Sequence, residues 1–133
     1  MNKLPGIIVE VISEGQLSLV KIRLAEDYFC SIVVDTPETA PYLHTENNIW
    51  MIFKENEVAI AKDFSGHISM QNRFKSTVMS IEQGKLLAQI NMRYNSYSLT
   101  SLITAQAALE LGLVPGDAVI AMVKTNEIIL AHD

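Results

Sequence analysis

The chain carries one sequence pattern twice, 70 residues apart. Residues 54–61 read KENEVAIA, residues 124–131 read KTNEIILA, and each stretch follows an apolar run. Other identical residues recur at the same spacing: Asn2 and Asn72, Ser31 and Ser101, Leu43 and Leu113. Such a repeat indicates that the fold contains two copies of one small structural unit. We predict a first unit over residues 1–65 and a second over residues 66–133, joined near residues 62–67.

The composition is typical of a globular protein. Hydrophobic residues make up 49% of the chain and charged residues 19%, which excludes a disordered class. The longest apolar runs are far shorter than the roughly 20 residues that cross a bilayer. Pro5 and Glu10 interrupt the N-terminal apolar stretch, so we expect neither a membrane span nor a signal peptide. Cys30 is the only cysteine and has no partner for an internal disulfide, which favours the cytoplasm.

The charges are distributed unevenly between the two halves. The formal net charge is −5, which argues against binding to nucleic acid or to a membrane surface. Residues 1–66 carry five basic and ten acidic groups, whereas residues 67–133 carry five of each. An anion that binds only one half of the chain would therefore meet less repulsion in the second.

Each unit has the pattern of a small β structure. GIIVEVI and STVMSI are β-branched runs, and LVKIRL and LAQINM alternate apolar and polar residues as half-buried strands do. A third strand follows in each unit, over YFCSIVV and SLTSLIT. The final apolar runs predict two more strands, joined by a tight turn at residues 55–56 or 125–126.

A short helix is predicted between the third and fourth strands of each unit. In the second unit Thr104 can cap its N-terminus and Gly112 can end it. In the first unit Thr36 can cap and Pro37 takes the first helical position. Five strands with one helix at this place are the arrangement of an OB-like barrel. We therefore predict an all-β fold of two tandem OB-like five-stranded β-barrel units, each with one short helix.

The sequence lacks the common catalytic and metal-binding patterns. It contains no glycine-rich phosphate loop and no dinucleotide-binding motif. The three histidines, His44, His67 and His132, lie far apart without acidic or cysteine neighbours at ligand spacing. We expect no metal site and no enzyme. Aromatic residues are 7% of the chain and have no basic cluster beside them, so single-stranded nucleic acid is also not expected.

The second unit resembles the Mop domain, the molybdate-binding member of the TOBE group of OB-like folds. Five anchors appear in the order typical of that domain: Ser69 with Asn72, Thr104, Leu111-Gly112-Leu113, Pro115-Gly116, and Val123-Lys124. The first unit, with its Leu4-Pro5-Gly6, is similar to a variant found in the second Mop unit of molybdate-responsive regulators. Two such units without a DNA-binding domain or an ATPase resemble the di-domain molbindins.

The resemblance implies a function and a set of binding residues. Molbindins are cytoplasmic storage or homeostasis proteins for molybdate or tungstate, and they form homotrimers that hold the anion between neighbouring units. On this basis a non-catalytic oxyanion site is expected to use the residues at the matching motif positions, which are Ser69, Gln71, Asn72, Thr104, Lys124 and Thr125. Ser69 and the backbone after it would donate from one unit, and Lys124 and Thr125 would approach from its neighbour.

Several positions depart from the family pattern. Gln71 stands where the family has arginine, and Ala107 where a hydroxyl residue is common. In the first unit Val34 replaces the hydroxyl of Thr104, and Glu55 lies beside Lys54. We therefore expect the first unit to be mainly structural or to complete a site in a neighbour.

Two other functions stay open at this point. One is a regulatory or protein-interaction module that has lost its anion site, related to molybdate-responsive regulators or to the accessory domains of transporter ATPases. The other is an OB-type nucleic-acid binder, which would show binding that weakens steeply with salt.

Overall fold

The computed structural model describes all 133 residues and is mostly β, as predicted. Its ten strands are β1 (Asn2–Glu14), β2 (Leu17–Leu24), β3 (Asp27–Val33), β4 (Asn48–Phe53), β5 (Ala59–Ala61), β6 (Asn72–Gln83), β7 (Leu87–Tyr94), β8 (Tyr97–Thr104), β9 (Ala118–Val123) and β10 (Ile129–Ala131). The only α-helix, α1, spans Ala105–Glu110, and a 3₁₀ turn spans Glu55–Glu57. A helix of six residues is much too short to cross a membrane.

The strands form two five-stranded sheets that exchange their last strands. The first barrel has the order β10-β4-β1-β2-β3, and the second has the order β5-β9-β6-β7-β8. Strand β5 therefore leaves the first repeat to pair with β9, while β10 leaves the second repeat to pair with β4. Each barrel contains four strands of one repeat and the final strand of the other.

This exchange corrects one detail of the sequence analysis. The two final runs of each unit are strands and a tight turn does follow the first of them, as predicted. The runs were expected to lie in one unit, but the turn sends the second strand to the opposite barrel. The apolar pattern of a strand specifies which face is buried, and it does not specify which strand lies beside it.

The barrels curl because their longest strands are bulged at matching positions. The β1–β2 register shifts between Ile8 and Glu10, and the β6–β7 register shifts between Val78 and Ser80. A bulge increases local twist and bends its strand. The edges of each sheet then meet: the Ser31 hydroxyl donates to the Ile128 carbonyl at 2.7 Å, and the Ser101 hydroxyl donates to the Val58 carbonyl at 2.6 Å.

One hydrophobic core runs through both barrels. Strand β2 shows why, since its alternate residues Ser18, Val20, Ile22 and Leu24 are buried and those between them are more exposed. Aromatic rings join the barrels: Phe74 stacks on Phe29 with ring centroids 4.4 Å apart, and on Phe53 at 5.5 Å. Tyr94 packs edge-on against Phe74 and donates a 2.5 Å hydrogen bond to Asp27 across the barrels.

The predicted helix forms in the second unit alone. Its N-terminus is capped as expected, because the Thr104 hydroxyl accepts the Ala107 N–H at 3.0 Å. The helix ends at Glu110 with Leu111 as its C-cap, and Gly112 follows with a φ of 60° in the left-handed region, while the Leu113 N–H returns to the Ala108 carbonyl.

In the first unit the expected helix is reduced to turns. The Ala40 N–H reaches the Thr36 carbonyl at 2.8 Å, but no regular helix follows. Pro41 has no N–H to donate and disfavours helical backbone at Ala40, so the helix prediction for this unit is wrong.

The segment that links the repeats is held against the second barrel. The Lys62 ammonium lies 3.0 Å from the Asp117 carboxylate and donates to the Gly112 carbonyl at 2.9 Å. The same Asp117 carboxylate accepts the Val114 N–H at 2.9 Å. That N–H first, and then Lys62, hold the pKa of Asp117 below its usual value. The chain is thus fixed in place where it leaves β5.

Candidate functional site

Lys124 begins an exposed turn between β9 and β10. The turn closes when the Glu127 N–H donates to the Lys124 carbonyl at 3.1 Å. It rests on the first barrel, where the Ile32 N–H of β3 donates to the Thr125 carbonyl at 3.0 Å. The Lys124 side chain is exposed and forms no ion pair, and Thr125 is half-buried. An unpaired ammonium and a hydroxyl therefore lie next to each other at this turn.

Gln71 lies beside Lys124 across the β6–β9 pair. Asn72 is the ladder partner of Val123, so the residue before it adjoins the residue after Val123. Gln71 is exposed and its amide makes no hydrogen bond within the chain. We call this group, Gln71, Asn72, Lys124 and Thr125 with Ile32 beneath it, the Lys124 corner.

Asn72 differs from its neighbours because it is fully buried and hydrogen-bonded. Its side-chain oxygen accepts the Cys30 N–H at 2.7 Å, and its side-chain nitrogen donates to the Cys30 carbonyl at 2.9 Å. Asn2 makes the same pair of bonds with Thr100, at 2.8 and 2.9 Å. We call each pair of bonds an asparagine clamp. The two clamps are 70 residues apart in sequence, and they join β1 to β8 and β6 to β3. Both polar atoms of the Asn72 side chain are therefore engaged by the Cys30 backbone, directly beside Gln71 and the Lys124 turn.

Ser69 precedes the corner in an exposed segment that Arg73 holds in place. The Arg73 guanidinium donates to the Met70 carbonyl at 2.9 Å and to the Ile68 carbonyl at 3.1 Å. Ser69 itself makes no hydrogen bond within the chain and is exposed. Its hydroxyl is available on the side from which β6 enters the barrel.

Thr104 lies at a different corner of the molecule. Its strand, β8, packs against the 3₁₀ turn of the first repeat, and Leu102 lines a cavity of about 380 Å³ with Lys54, Glu55 and Gln89. The Thr104 hydroxyl is exposed and caps α1. Within one chain the structure therefore brings together Gln71, Asn72, Lys124 and Thr125, places Ser69 nearby, and holds Thr104 apart.

The matching corner of the first repeat, built around Lys54, carries more charge. The Met1 ammonium lies 3.0 Å from the Glu55 carboxylate, and the Lys54 N–H donates to the Glu57 carboxylate at 3.0 Å. A hydrogen bond from its own backbone N–H, followed by the Met1 ammonium, lowers the pKa of Glu55. A dianion at this corner would face a carboxylate that the Lys124 corner lacks at the corresponding residue, Thr125.

The sequence analysis missed a polar network beside the Lys54 corner. Asn91 links three neighbours: its side-chain oxygen accepts from Gln89 at 3.1 Å and from Thr100 at 3.3 Å, and its nitrogen donates to Ser80 at 2.9 Å. The alternating polar residues of LAQINMRY are the only sequence feature that indicates it. No cluster of His, Cys, Asp and Glu side chains has the geometry of a metal site.

Comparison with known proteins agrees with this architecture. Residues 68–130 match the TOBE domain family. The chain also aligns over 99% of its length with the cytoplasmic molybdate-binding protein ModG in its molybdate-bound crystal structure, with a TM-score of 0.92, 26% identity and 96% of that chain covered. Residues 68–130 belong to the TOBE domain family. The tandem arrangement of two barrels is therefore shared with ModG.

Two curated relatives align with this chain in sequence. The molybdenum-pterin-binding protein MopB of Rhodobacter capsulatus is 36% identical over 73 residues, which are 54% of this chain and 27% of MopB. The molybdenum transport protein ModE of Azotobacter vinelandii is 26% identical over 132 residues, 98% of this chain and 49% of ModE. The chain thus spans about a quarter to a half of the length of these relatives.

Proposed function

We propose that this protein binds molybdate or tungstate reversibly, without catalysis, as a cytoplasmic storage or homeostasis protein. The observation that carries the proposal is its full-length structural agreement with ModG, which has molybdate bound, at a TM-score of 0.92. MopB and ModE, which match over shorter shares of their own length, are also named for molybdenum.

The Lys124 corner has the chemistry that a tetrahedral dianion needs. Such an anion is stabilised by several short hydrogen bonds from cations, hydroxyls, amides and backbone N–H groups. Lys124 supplies an ammonium with no carboxylate partner, Thr125 a hydroxyl and Gln71 an amide. Gln71 donates as a neutral group where arginine would add a charged fork, so we expect a weaker site than an arginine would form.

Ser69 and Thr104 are proposed to complete the site, and Thr104 requires a second copy of the chain. Thr104 lies at the end of β8, which packs against the 3₁₀ turn of the first repeat, whereas the Lys124 turn rests on β3, so we propose that Thr104 of one copy approaches Lys124 of another. Exposed apolar residues lie at the edge strands β3 and β8: Ile32 in β3, Val34 directly after it, and Leu87 of β7, the ladder partner of Thr104. We propose a homo-oligomer, a trimer by family resemblance, joined at these edges.

The first unit is proposed to serve mainly as scaffold. Glu55 occupies the position of Thr125, and Val34 occupies the position of Thr104. A carboxylate and a methyl-bearing side chain provide no donor to an oxyanion. Lys54 remains exposed and free of ion pairs, so any anion at this corner should bind more weakly than at Lys124.

Isothermal titration calorimetry tests the binding proposal. The full chain is titrated in separate experiments with molybdate, tungstate, sulfate and phosphate at constant ionic strength. We expect saturable heat with molybdate and tungstate at submillimolar anion, and weaker binding of sulfate and phosphate. The absence of heat with all four anions would reject the proposal and favour an interaction module that has lost its site, a reading that the comparisons do not favour.

A further inference from the structure

Arg73, the second residue of β6, carries a positive charge that no carboxylate neutralises. It takes part in neither of the two ion pairs of the chain. Its guanidinium donates two hydrogen bonds to backbone carbonyls and lies 5.7 Å from the centroid of the Phe64 ring. Because Asn72 beside it is buried, Arg73 and Gln71 lie on the outward face of the same chain segment. An unpaired arginine therefore adjoins the exposed residues that lead into the Lys124 corner.

The two carbonyls that accept from Arg73 lie on either side of Ser69. The Arg73 Nε donates to the Met70 carbonyl at 2.9 Å, and the Nη2 donates to the Ile68 carbonyl at 3.1 Å. A guanidinium is planar and presents these donors as a rigid fork. One side chain therefore fixes the peptide that enters Ser69 and the peptide that enters Gln71, although Ser69 and Gln71 are themselves exposed.

The fixed peptides leave two backbone N–H groups free to bind a ligand. Every peptide bond of the chain is trans, so the N–H and the C=O of one peptide point in opposite directions. The N–H groups of Ser69 and Gln71 therefore point away from the Arg73 guanidinium, and neither donates to another group of the chain. Gln71 adjoins Lys124 across the β6–β9 pair. Together with the Ser69 hydroxyl, these are the kinds of donors that hold an oxyanion.

The first repeat has a different cation at the corresponding place. Lys3 stands at the position of Arg73, and its ammonium lies 4.4 Å from the centroid of the Trp50 ring. A lysine is a point charge on a flexible stem and lacks the planar fork of arginine. Substitution of Lys3 is therefore a matched control, because it removes a cation at the equivalent position of the other barrel.

We propose that Arg73 is a positioning residue of the oxyanion site, which holds the segment from Ser69 to Gln71 so that its two N–H groups and the Ser69 hydroxyl donate to the anion. The inference rests on the proposed function. The hydrogen bonds of Arg73 go to the segment and not to the anion, so its contribution to affinity passes through Ser69 and Gln71. Without the fork, the anion would have to order these residues on binding, which costs conformational entropy.

Calorimetric titration with molybdate at constant ionic strength measures the contribution of Arg73. Arg73→Gln should weaken binding about tenfold, because the free energy of binding must then also order the segment. Arg73→Lys keeps the charge but lacks the fork, so it should still bind about fivefold more weakly than the unmodified chain. Lys3→Gln, the control in the first barrel, should bind within about twofold of the unmodified chain.

A double-mutant cycle distinguishes positioning from a general loss of structure. Ser69→Ala should weaken binding about fivefold in the unmodified chain, but less than about twofold in Arg73→Gln, where the hydroxyl is no longer held. A merely structural Arg73 would lower the urea midpoint and leave the effect of Ser69→Ala unchanged. If Arg73→Gln does not fold, the cycle uses Arg73→Lys.

Three results would overturn the inference while the proposed function stands: unchanged affinity in Arg73→Gln, unchanged affinity in Arg73→Lys, or the full effect of Ser69→Ala in either background. In each of these cases the unmodified chain still binds molybdate. The absence of molybdate heat with the unmodified chain would instead reject the proposed function, and this inference would fail with it.

Discussion

At the residue scale, the repeat is preserved most faithfully in buried hydrogen bonds. Asn2 and Asn72 each clamp the backbone of one residue in the other repeat, and Ser31 and Ser101 each close a barrel edge. These side chains are buried, so each bond also satisfies a polar group that water cannot reach. The identical buried polar residues in the two halves are thus explained by architecture.

Replacement of Asn72 by alanine should destabilise the fold. The variant leaves the N–H and carbonyl of Cys30 without their partner in a partly buried place. We expect the free energy of unfolding to fall by about 1–3 kcal/mol, measured as a lower urea midpoint. Gln71→Ala, one residue away and exposed, is the control and should change stability by less than about 0.5 kcal/mol. Equal effects of the two substitutions would contradict the clamp.

Lys124 and Lys54 should differ in their contribution to anion affinity. Both are exposed lysines that begin equivalent turns, but Lys54 is followed by Glu55 and Lys124 by Thr125. Lys124→Ala removes a charge-assisted hydrogen bond to the anion, so we expect this substitution to weaken molybdate binding about tenfold. Lys54→Ala should have a smaller effect, within about twofold. Calorimetry measures the molybdate affinity of the two variants. A greater loss of affinity in Lys54→Ala than in Lys124→Ala would show that the first unit holds the main site.

Tyrosine ionisation should reduce stability at alkaline pH. Burial, and then the bond to Asp27, raise the pKa of Tyr94, while burial, and then Asp35, raise the pKa of Tyr42. Below the unfolded pKa of about 10 this stability is fully present. Above it the unfolded chain loses protons that the folded chain retains, so stability falls as pH rises. The urea midpoint should decline from pH 9 to pH 11 less steeply in Tyr94→Phe, and Tyr28→Phe, an exposed control, should match the unmodified protein.

At the element scale, the exchanged strands decide how the two halves depend on each other. Leu130 of β10 belongs by sequence to the second repeat, yet it is buried in the first barrel opposite Met51. Ile60 of β5 makes the reciprocal contact opposite Ala121 but is less buried. A change in one repeat is therefore expected to loosen the barrel formed mainly by the other.

Leu130→Ala should destabilise the first barrel, although Leu130 belongs by sequence to the second repeat. Removal of this side chain at a sheet edge is expected to cost about 2 kcal/mol. Trp50 is the ladder partner of the adjacent Ala131, so its fluorescence reports the first barrel directly. We expect the fluorescence and circular dichroism transitions to shift together, and Ile60→Ala to shift them less. An unchanged Trp50 transition would mean that β10 does not hold the first barrel.

At the scale of the whole molecule, the two barrels form one continuous structure, because both the exchanged strands and the aromatic stack cross between them. The sequence repeat was sufficient to predict two β units, their strand positions and the capped helix at Thr104. It could not predict the exchange, because alternation fixes the buried face of a strand and leaves its neighbour undetermined. It could not locate Thr104 relative to Lys124 for the same reason, since that distance depends on which barrel each turn joins.

The central claim concerns where the anion binds, and crystals grown with molybdate test it most directly through the anomalous signal of molybdenum. We predict a peak in contact with Lys124 and Thr125, with Ser69 or Thr104 of a neighbouring copy contributing to it. Crystals of Lys124→Ala grown under the same conditions should show a weaker peak or none. A peak only at Lys54, or no molybdenum bound to the protein at all, would contradict the account.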